Sequence, residues 1–284
     1  MQRWVVPALI FGLFVIWESP SFAEIGKYVD KDGVIHFMNI PTQPQYRKVA
    51  PPNRTKAKPK NARSKKPESH KNVSGTAWPV MFGYVVTNYH VVKGCQSLSL
   101  GCPNGTIIQA KLEVGDESND LALLSVAKED VAKLPPALPL SESGPKLGAK
   151  VFTIGYPLTD VMGVKPKLTD GIISGEFGIG DNAHECQITV SVQSGNSGSP
   201  LLNMNGEVVG IVSGKLNAIR VLARKGDLPQ NVNYAVKVQY LKALLESVKE
   251  KHSSVPLNEL PGNAGSLEEL AERVQNSVLL LNAK

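Results

Sequence analysis

Three short segments carry residue types that could cooperate in acyl transfer. Ser194-Gly195-Asn196-Ser197-Gly198-Ser199-Pro200 sets a hydroxyl between glycines. A nucleophilic serine needs its Oγ exposed on a tight turn, with backbone N–H groups aimed at the oxyanion that develops. Glycine on both sides lets the chain turn sharply and bares those donors. Upstream, Thr87-Asn88-Tyr89-His90-Val91-Val92 places an imidazole at the end of a β-rich run, a position suited to a rigidly held general base. Asn119-Asp120-Leu121-Ala122-Leu123-Leu124 places an acid directly before an apolar strand. Each segment alone has an ordinary reading: a surface turn, a structural histidine, a turn aspartate. In the order His90, Asp120, Ser197, with spacings of 30 and 77 residues, they supply a base, an orienting acid and a nucleophile.

Further runs extend the pattern: Gly155-Tyr156-Pro157, Asp170-Gly171-Ile172-Ile173-Ser174, Gly210-Ile211-Val212-Ser213-Gly214 and Asn231-Val232-Asn233-Tyr234-Ala235-Val236. On these motifs residues 75–250 resemble the trypsin-like serine proteases, and within them the bacterial Deg-type, high-temperature-requirement proteases. The resemblance implies an all-β fold of two six-stranded antiparallel β-barrels followed by a helix. The first barrel would run from about residue 75 to 135, and the second from about 147 to 237. Ser197 would attack a peptide carbonyl, His90 would carry the proton, and Asp120 would fix the imidazole. The N–H groups of Gly195 and Ser197 would form the oxyanion hole. Ser191, six residues before the nucleophile, would floor the primary specificity pocket, and Ser213 and Gly214 would pair with the substrate backbone. Ser191 offers only a hydroxyl, which leaves a buried substrate cation uncompensated, so a small or medium uncharged side chain is expected there; Val190 and Val192 suggest apolar surroundings, although alternation makes one of them point away. Lys215 beside the binding strand is the main threat to that expectation.

Departures from the family also carry information. Animal digestive members have an aspartate before the nucleophile that pairs with a freshly cut N-terminus. Asn196 stands here, and no cleavage-activated zymogen is implied. The residues after 250 are too few for the PDZ domain that Deg proteases carry. Gly198-Ser199-Pro200 replaces the usual Gly-Gly-Pro. A rival from another class is a non-catalytic peptide-binding or envelope-binding protein that keeps the protease fold; the intact triad argues against it.

The elements that must position these residues read as follows. From Gly75 onward, short β-rich runs alternate with Gly, Asn and Asp: Tyr84–Val86, Thr106–Ile108, Leu121–Leu124, Val151–Ile154, Gln187–Val190 and Val208–Val212. Strands at this spacing indicate a β-sandwich or barrel. Val236 to Lys249 reads as a helix, with Val238, Leu241, Leu244 and Leu245 on one stripe. A second helix is signalled by a capping box at Ser266 and Glu269, followed by Leu267, Leu270, Ala271, Val274 and Val278 at helical spacing. That stripe suits docking on the same molecule. These elements make residues 73–250 the protease domain and 251–284 a helical tail.

Residues 1–23 read as a secretory signal peptide: Arg3, the apolar run Trp4–Trp17, then Ser21-Phe22-Ala23 before the cut. The alternative is an uncleaved anchor. Export to the periplasm is expected, with secretion as the alternative. Residues 24–46 read as a small β module, with Asp-Gly in a turn between Lys27–Val29 and Val34–Phe37. The module resembles a short domain of unknown function at the N-termini of exported proteobacterial proteins. Residues 47–72 hold ten of the chain's 31 basic residues, one of its 25 acids and almost nothing apolar, so a disordered, extended linker is expected there. It is either a spacer or a means of meeting an anionic cell-envelope surface. The rest of the chain is slightly acidic, which argues against a nucleic-acid partner. Polypeptides are the expected substrates. No cluster has metal-ligand spacing, so no metal or organic cofactor is expected.

The chain has three cysteines. Cys95 and Cys102 are close in sequence, but a strand between them would hold them about 23 Å apart, well beyond the roughly 7 Å that a disulfide spans. Cys186 is then either a partner or a buried thiol.

Overall fold

The computed structural model describes residues 26–29, 35–38, 47–48, 73–213, 232–249, 260 and 264–284. The chain divides into two compact units, residues 1–66 and 67–284. The first holds a three-stranded antiparallel sheet of β1 (Gly26–Val29), β2 (Ile35–Met38) and β3 (Arg47–Lys48), in the order β2-β1-β3. Gly26 pairs with Met38 and Val29 with Ile35, the hairpin expected around Asp32-Gly33. The expected linker loses its first two residues to this sheet, because Arg47 and Lys48 pair with Val29 and Tyr28. The signal-peptide reading of residues 1–23 and the remainder of the linker lie outside the described residues.

The second unit contains two closed six-stranded antiparallel barrels. The first begins with β4 (Val73–Met81), β5 (Tyr84–Thr87), β6 (Leu98–Gly101), β7 (Ile107–Asp116) and β8 (Leu121–Val126). The second is built from β9 (Lys150–Gly155), β10 (Lys167–Gly175), β11 (Glu185–Ile188), β12 (Pro200–Asn203), β13 (Val208–Val212) and β14 (Asn233–Lys237). Three short helices matter below: α1 (Tyr89–Val92), α2 (Thr159–Met162) and α3 (Val238–Lys249). Val238, Leu241, Leu244 and Leu245 of α3 are buried, as the stripe required.

Read in order around its circumference, the second barrel runs β9-β10-β11-β14-β13-β12 and closes. With a strand β15 over Leu279–Ala283, the first runs β15-β4-β5-β8-β7-β6 and closes in the same pattern. Its opening position, held by β9 in the second barrel, is filled by a strand from after that barrel: β15 (Leu279–Ala283). This strand lies between β4 and β6, pairing Leu280 with both Thr76 and Gly101, and Leu281 with both Gly75 and Leu100. The expected boundary at residue 250 therefore does not match the fold, and 251–284 is not merely a helical tail. The capping box does form: Ser266 Oγ accepts from Glu269 N and Ser266 N donates to the Glu269 carboxylate, starting α4 (Leu267–Val274). A 3-10 turn over Gln275–Ser277 then ends the helix, and the apolar run Val278–Leu281 enters the first barrel.

Leu279, Leu281 and Ala283 are fully buried in the first barrel's core, while Leu270, Val274 and Val278 pack in a larger cluster that joins Trp78 and Leu123 of the first barrel to Phe152, Ile211 and Val236 of the second. The two barrels thus share one apolar seam. The three cysteines are unpaired. Strand β6 separates Cys95 from Cys102, as expected. Cys186 is a buried thiol: burial pushes its pKa up to about 12, so it stays protonated, and its S–H donates to the Ala235 carbonyl at 3.6 Å.

Candidate active site

Strand β5 runs into α1, whose second residue is His90. Asp120 sits at the start of β8, after a turn organised by Asp116, whose Oδ1 accepts from the N–H groups of Ser118 and Asn119 at 3.0 Å each. Asp120 adopts a left-handed backbone, φ 53°, a region where Asp is among the few tolerated non-glycine residues. That conformation lets one residue present two faces. Its carbonyl accepts from Asn88 Nδ2 at 2.9 Å and Tyr89 N at 3.2 Å. Its carboxylate accepts from His90 N at 2.9 Å through Oδ1 and from His90 Nδ1 at 2.7 Å through Oδ2. Four contacts from α1 and its cap thus converge on one aspartate. The His90 side chain remains 31% exposed, leaving the imidazole reachable from solvent.

Ser197 lies on the turn between Ser194 and Pro200 and is 9% exposed. The turn needs glycine where it has it. Gly195 has φ 97°, and a Cβ there would meet Tyr156 O at 2.3 Å; Gly198 has φ 87°, and a Cβ there would meet Thr76 O at 2.2 Å. Strand β4 grips this turn from the first barrel. Thr76 N donates to Ser197 O at 2.9 Å, Thr76 Oγ1 to Gly195 O at 2.8 Å, and Trp78 Nε1 to Gly198 O at 3.1 Å. From the second barrel, Gly198 N donates to Val212 O at 2.9 Å. Gly75 marks the meeting point of the candidate residues: a Cβ on it would lie 2.8 Å from Val91 Cγ1, beside His90, and 3.3 Å from Ser197 O. His90 and Asp120 are joined directly, and Ser197 is brought to them across β4. Among the described residues no hydrogen bond joins Ser197 Oγ to His90, a contact that often tightens only when substrate binds.

The two expected oxyanion donors are oriented by their own peptide planes. In a trans peptide the N–H points opposite to the C=O. Ser194 O accepts from Leu158 N at 2.8 Å, so the Gly195 N–H points away from Leu158. Asn196 O accepts from Ser199 N at 3.0 Å, so the Ser197 N–H points away from Ser199. Among the described residues neither N–H donates to a protein acceptor. Leu158 supplies its N–H from a left-handed backbone, φ 43°, which costs a leucine strain and is found mainly where a site requires it.

The expected pocket residues are only partly placed. Ser191 is exposed, and its carbonyl accepts from Thr169 Oγ1 at 3.0 Å. Val190 and Val192 are both buried in the second barrel's core, so neither surrounds Ser191. Side chains two apart on an extended chain share a face, and Ser191 takes the opposite one. Ser213 continues the β13–β14 ladder through its N–H to Tyr234 O at 3.1 Å, and its Oγ lies 3.4 Å from Glu185 Oε1. Gly214 and Lys215 lie outside the described residues. Glu185 went unnoticed in the sequence. Burial pushes its carboxyl pKa up; hydrogen bonds from Ser213 and Asn182 oppose that rise, and the Asp120 charge adds to it. Thr76, Trp78 and the whole of β4 were also unnoticed, because Pro79 interrupts the run. It is accommodated where the β4–β5 register shifts, between Pro79 and Met81.

Residues 73–211 match the family model of the trypsin-like peptidase domain. The chain carries a trypsin-like peptidase domain. It is 32% identical over 176 residues to the serine protease Do-like HtrA of Bacillus subtilis, covering 59% of this chain and 36% of that protein. It is 38% identical over 165 residues to the uncharacterized protein y4bJ of Sinorhizobium fredii, covering 58% of this chain and 25% of that protein. The chain thus spans between a quarter and little more than a third of these relatives. Among solved structures it is similar to the HtrA-type protease AlgW with decapeptide, at 28% identity and a TM-score of 0.50, covering 62% of this chain and 51% of that one. The peptidase domain of this chain is therefore similar to those of Deg/HtrA proteases.

Proposed function

We propose that this chain is an exported serine endopeptidase that hydrolyses peptide bonds through an acyl-enzyme. The observation that carries this reading is the His90–Asp120 pair, joined at 2.7 Å, with a Ser197 turn whose Gly195 and Ser197 N–H groups donate to no protein acceptor among the described residues. A carboxylate only accepts, so the Nδ1 proton stays with His90 and Nε2 is left as the basic nitrogen. Nε2 takes the Ser197 proton as Oγ adds to the substrate carbonyl. The oxyanion then accepts from the Gly195 and Ser197 N–H groups, which need no reorganisation as charge develops. Collapse expels the amine, protonated by His90, and leaves the acyl group on Ser197. Water repeats the cycle with His90 again as base.

An extended polypeptide would pair with Ser213 and Gly214 as an added antiparallel strand, its side chain on the acyl side of the cut facing Ser191. The Arg/Lys-rich segment 47–72 would hold the enzyme near an anionic envelope surface, and the leader would deliver it there.

A fluorophosphonate probe tests the reading, because it phosphonylates only an activated serine. The wild type should be labelled and should cleave a peptide library, and Ser197→Ala should do neither. A folded wild type that takes no label would favour a protein that holds peptides without cutting them.

A further inference from the structure

Three consecutive peptide groups carry the reactive turn, and each is held by a different part of the molecule. Leu158 N holds the Ser194–Gly195 peptide through Ser194 O at 2.8 Å, and Ser199 N holds the Asn196–Ser197 peptide through Asn196 O at 3.0 Å. Between them lies the Gly195–Asn196 peptide. Its N–H donates to Gln193 O at 3.0 Å, and its carbonyl accepts from Thr76 Oγ1 at 2.8 Å. Rotation of this middle peptide would turn both neighbours, and with them the Gly195 and Ser197 N–H groups.

Thr76 is fully buried and its hydroxyl is committed on both sides: it donates to Gly195 O and accepts from Tyr156 N at 3.1 Å. The residue itself is locked. Its N–H donates to Ser197 O, its carbonyl accepts from Thr87 Oγ1 at 2.8 Å, and its backbone lies opposite Leu280 of β15. Tyr156 is fixed in turn, because burial pushes its phenol pKa up to about 12 and keeps it a donor to Val278 O at 3.1 Å. One side-chain hydroxyl from the first barrel therefore ties the reactive turn to the end of β9 in the second.

We propose that Thr76 is a positioning residue for the peptidase reaction, its hydroxyl holding the Gly195–Asn196 peptide so that the Gly195 and Ser197 N–H groups stay aimed at the developing oxyanion. The proposal rests on the serine-peptidase reading above. Threonine differs from valine here by one oxygen in nearly the same volume. Thr76→Val would leave two buried groups, Gly195 C=O and Tyr156 N–H, without their partner, and each would draw the turn toward another orientation. Ground-state substrate contacts would be untouched, so the loss belongs in kcat and in the rate of serine phosphonylation rather than in KM.

The test compares wild type, Thr76→Val and Thr76→Ser for thermal stability, fluorophosphonate labelling rate, and kcat and KM on a cleaved peptide. Thr76→Val should lose about 10- to 100-fold in kcat and in labelling rate together, less than the roughly 100- to 1,000-fold loss of a whole oxyanion donor. KM should move by less than about twofold, and Thr76→Ser, which restores the hydroxyl, should recover to within about threefold of wild type. If Thr76→Val does not fold, the comparison of Thr76→Ser with Thr76→Ala gives the same contrast. A folded Thr76→Val with wild-type kcat, a loss confined to KM, or a Thr76→Ser as impaired as the variant without the hydroxyl overturns the role of Thr76. A folded wild type that takes no label overturns the peptidase reading itself.

Discussion

Shortening one side chain near the end of the described chain, Leu281→Ala, should destabilise the entire peptidase unit. Leu281 has no exposed surface and sits in the first barrel's core with Ala77, Leu100 and Leu124. Its backbone pairs with Gly75 on one side and Leu100 on the other, leaving the surrounding strands little freedom to collapse into the vacated space. Leu→Ala at such a site costs about 2–5 kcal/mol, the upper part of that range applying where the cavity persists. Taking about 3 kcal/mol, and a shift of about 2–4 °C per kcal/mol for a domain of this size, the melting temperature should fall by about 6–12 °C. Calorimetry of the variant beside Ile107→Ala, which changes a 70%-exposed residue of the same barrel, provides the control. A drop for Leu281→Ala no larger than that of the control would mean that β15 does not close the barrel and that residues 264–284 are an appendage after all.

The triad should behave as a unit: His90→Ala and Ser197→Ala should each lower kcat by several orders of magnitude, and the double variant should be little worse, so additive losses in steady-state kinetics would count against a shared mechanism. Glu185→Gln should raise the melting temperature at pH 7 and change it little near pH 4. A carboxyl whose folded pKa is raised loses stability as pH climbs above its unfolded value, and below that value it is protonated in both states; a larger gain at pH 4 than at pH 7 would refute this assignment. Peptide-library profiling should show cleavage after small or medium uncharged residues, since the Ser191 hydroxyl cannot compensate a buried substrate cation, and dominant cleavage after Lys or Arg would remove Ser191 from the pocket.

The candidate catalytic residues were legible because the chemistry they would perform is local in sequence. The nucleophile turn, the histidine after a β run and the acid before one each occupy fewer than eight consecutive residues, and their types are dictated by what each must do. The hairpin module and both C-terminal helices were legible for a similar reason: Asp-Gly turns, capping boxes and apolar stripes act over a few residues. Strand β4 was hidden because Pro79 removes a ladder donor and breaks the alternation that marks a strand. Glu185 was hidden because burial depends on what packs above it.

By itself, the sequence determined the barrel class, the three candidate catalytic residues and their order, and the positions where the chain must turn. Only the tertiary structure decided what holds the reactive turn and what completes the first barrel. Val278-Leu279-Leu280-Leu281 is a short apolar run that could equally continue a helix or enter a sheet. It becomes a strand because the first barrel offers unpaired edges on β4 and β6 that only another backbone can satisfy, a long-range demand with no trace in local periodicity. The same holds for Thr76, whose hydroxyl matters only because folding brings Gly195, 119 residues away, within 2.8 Å.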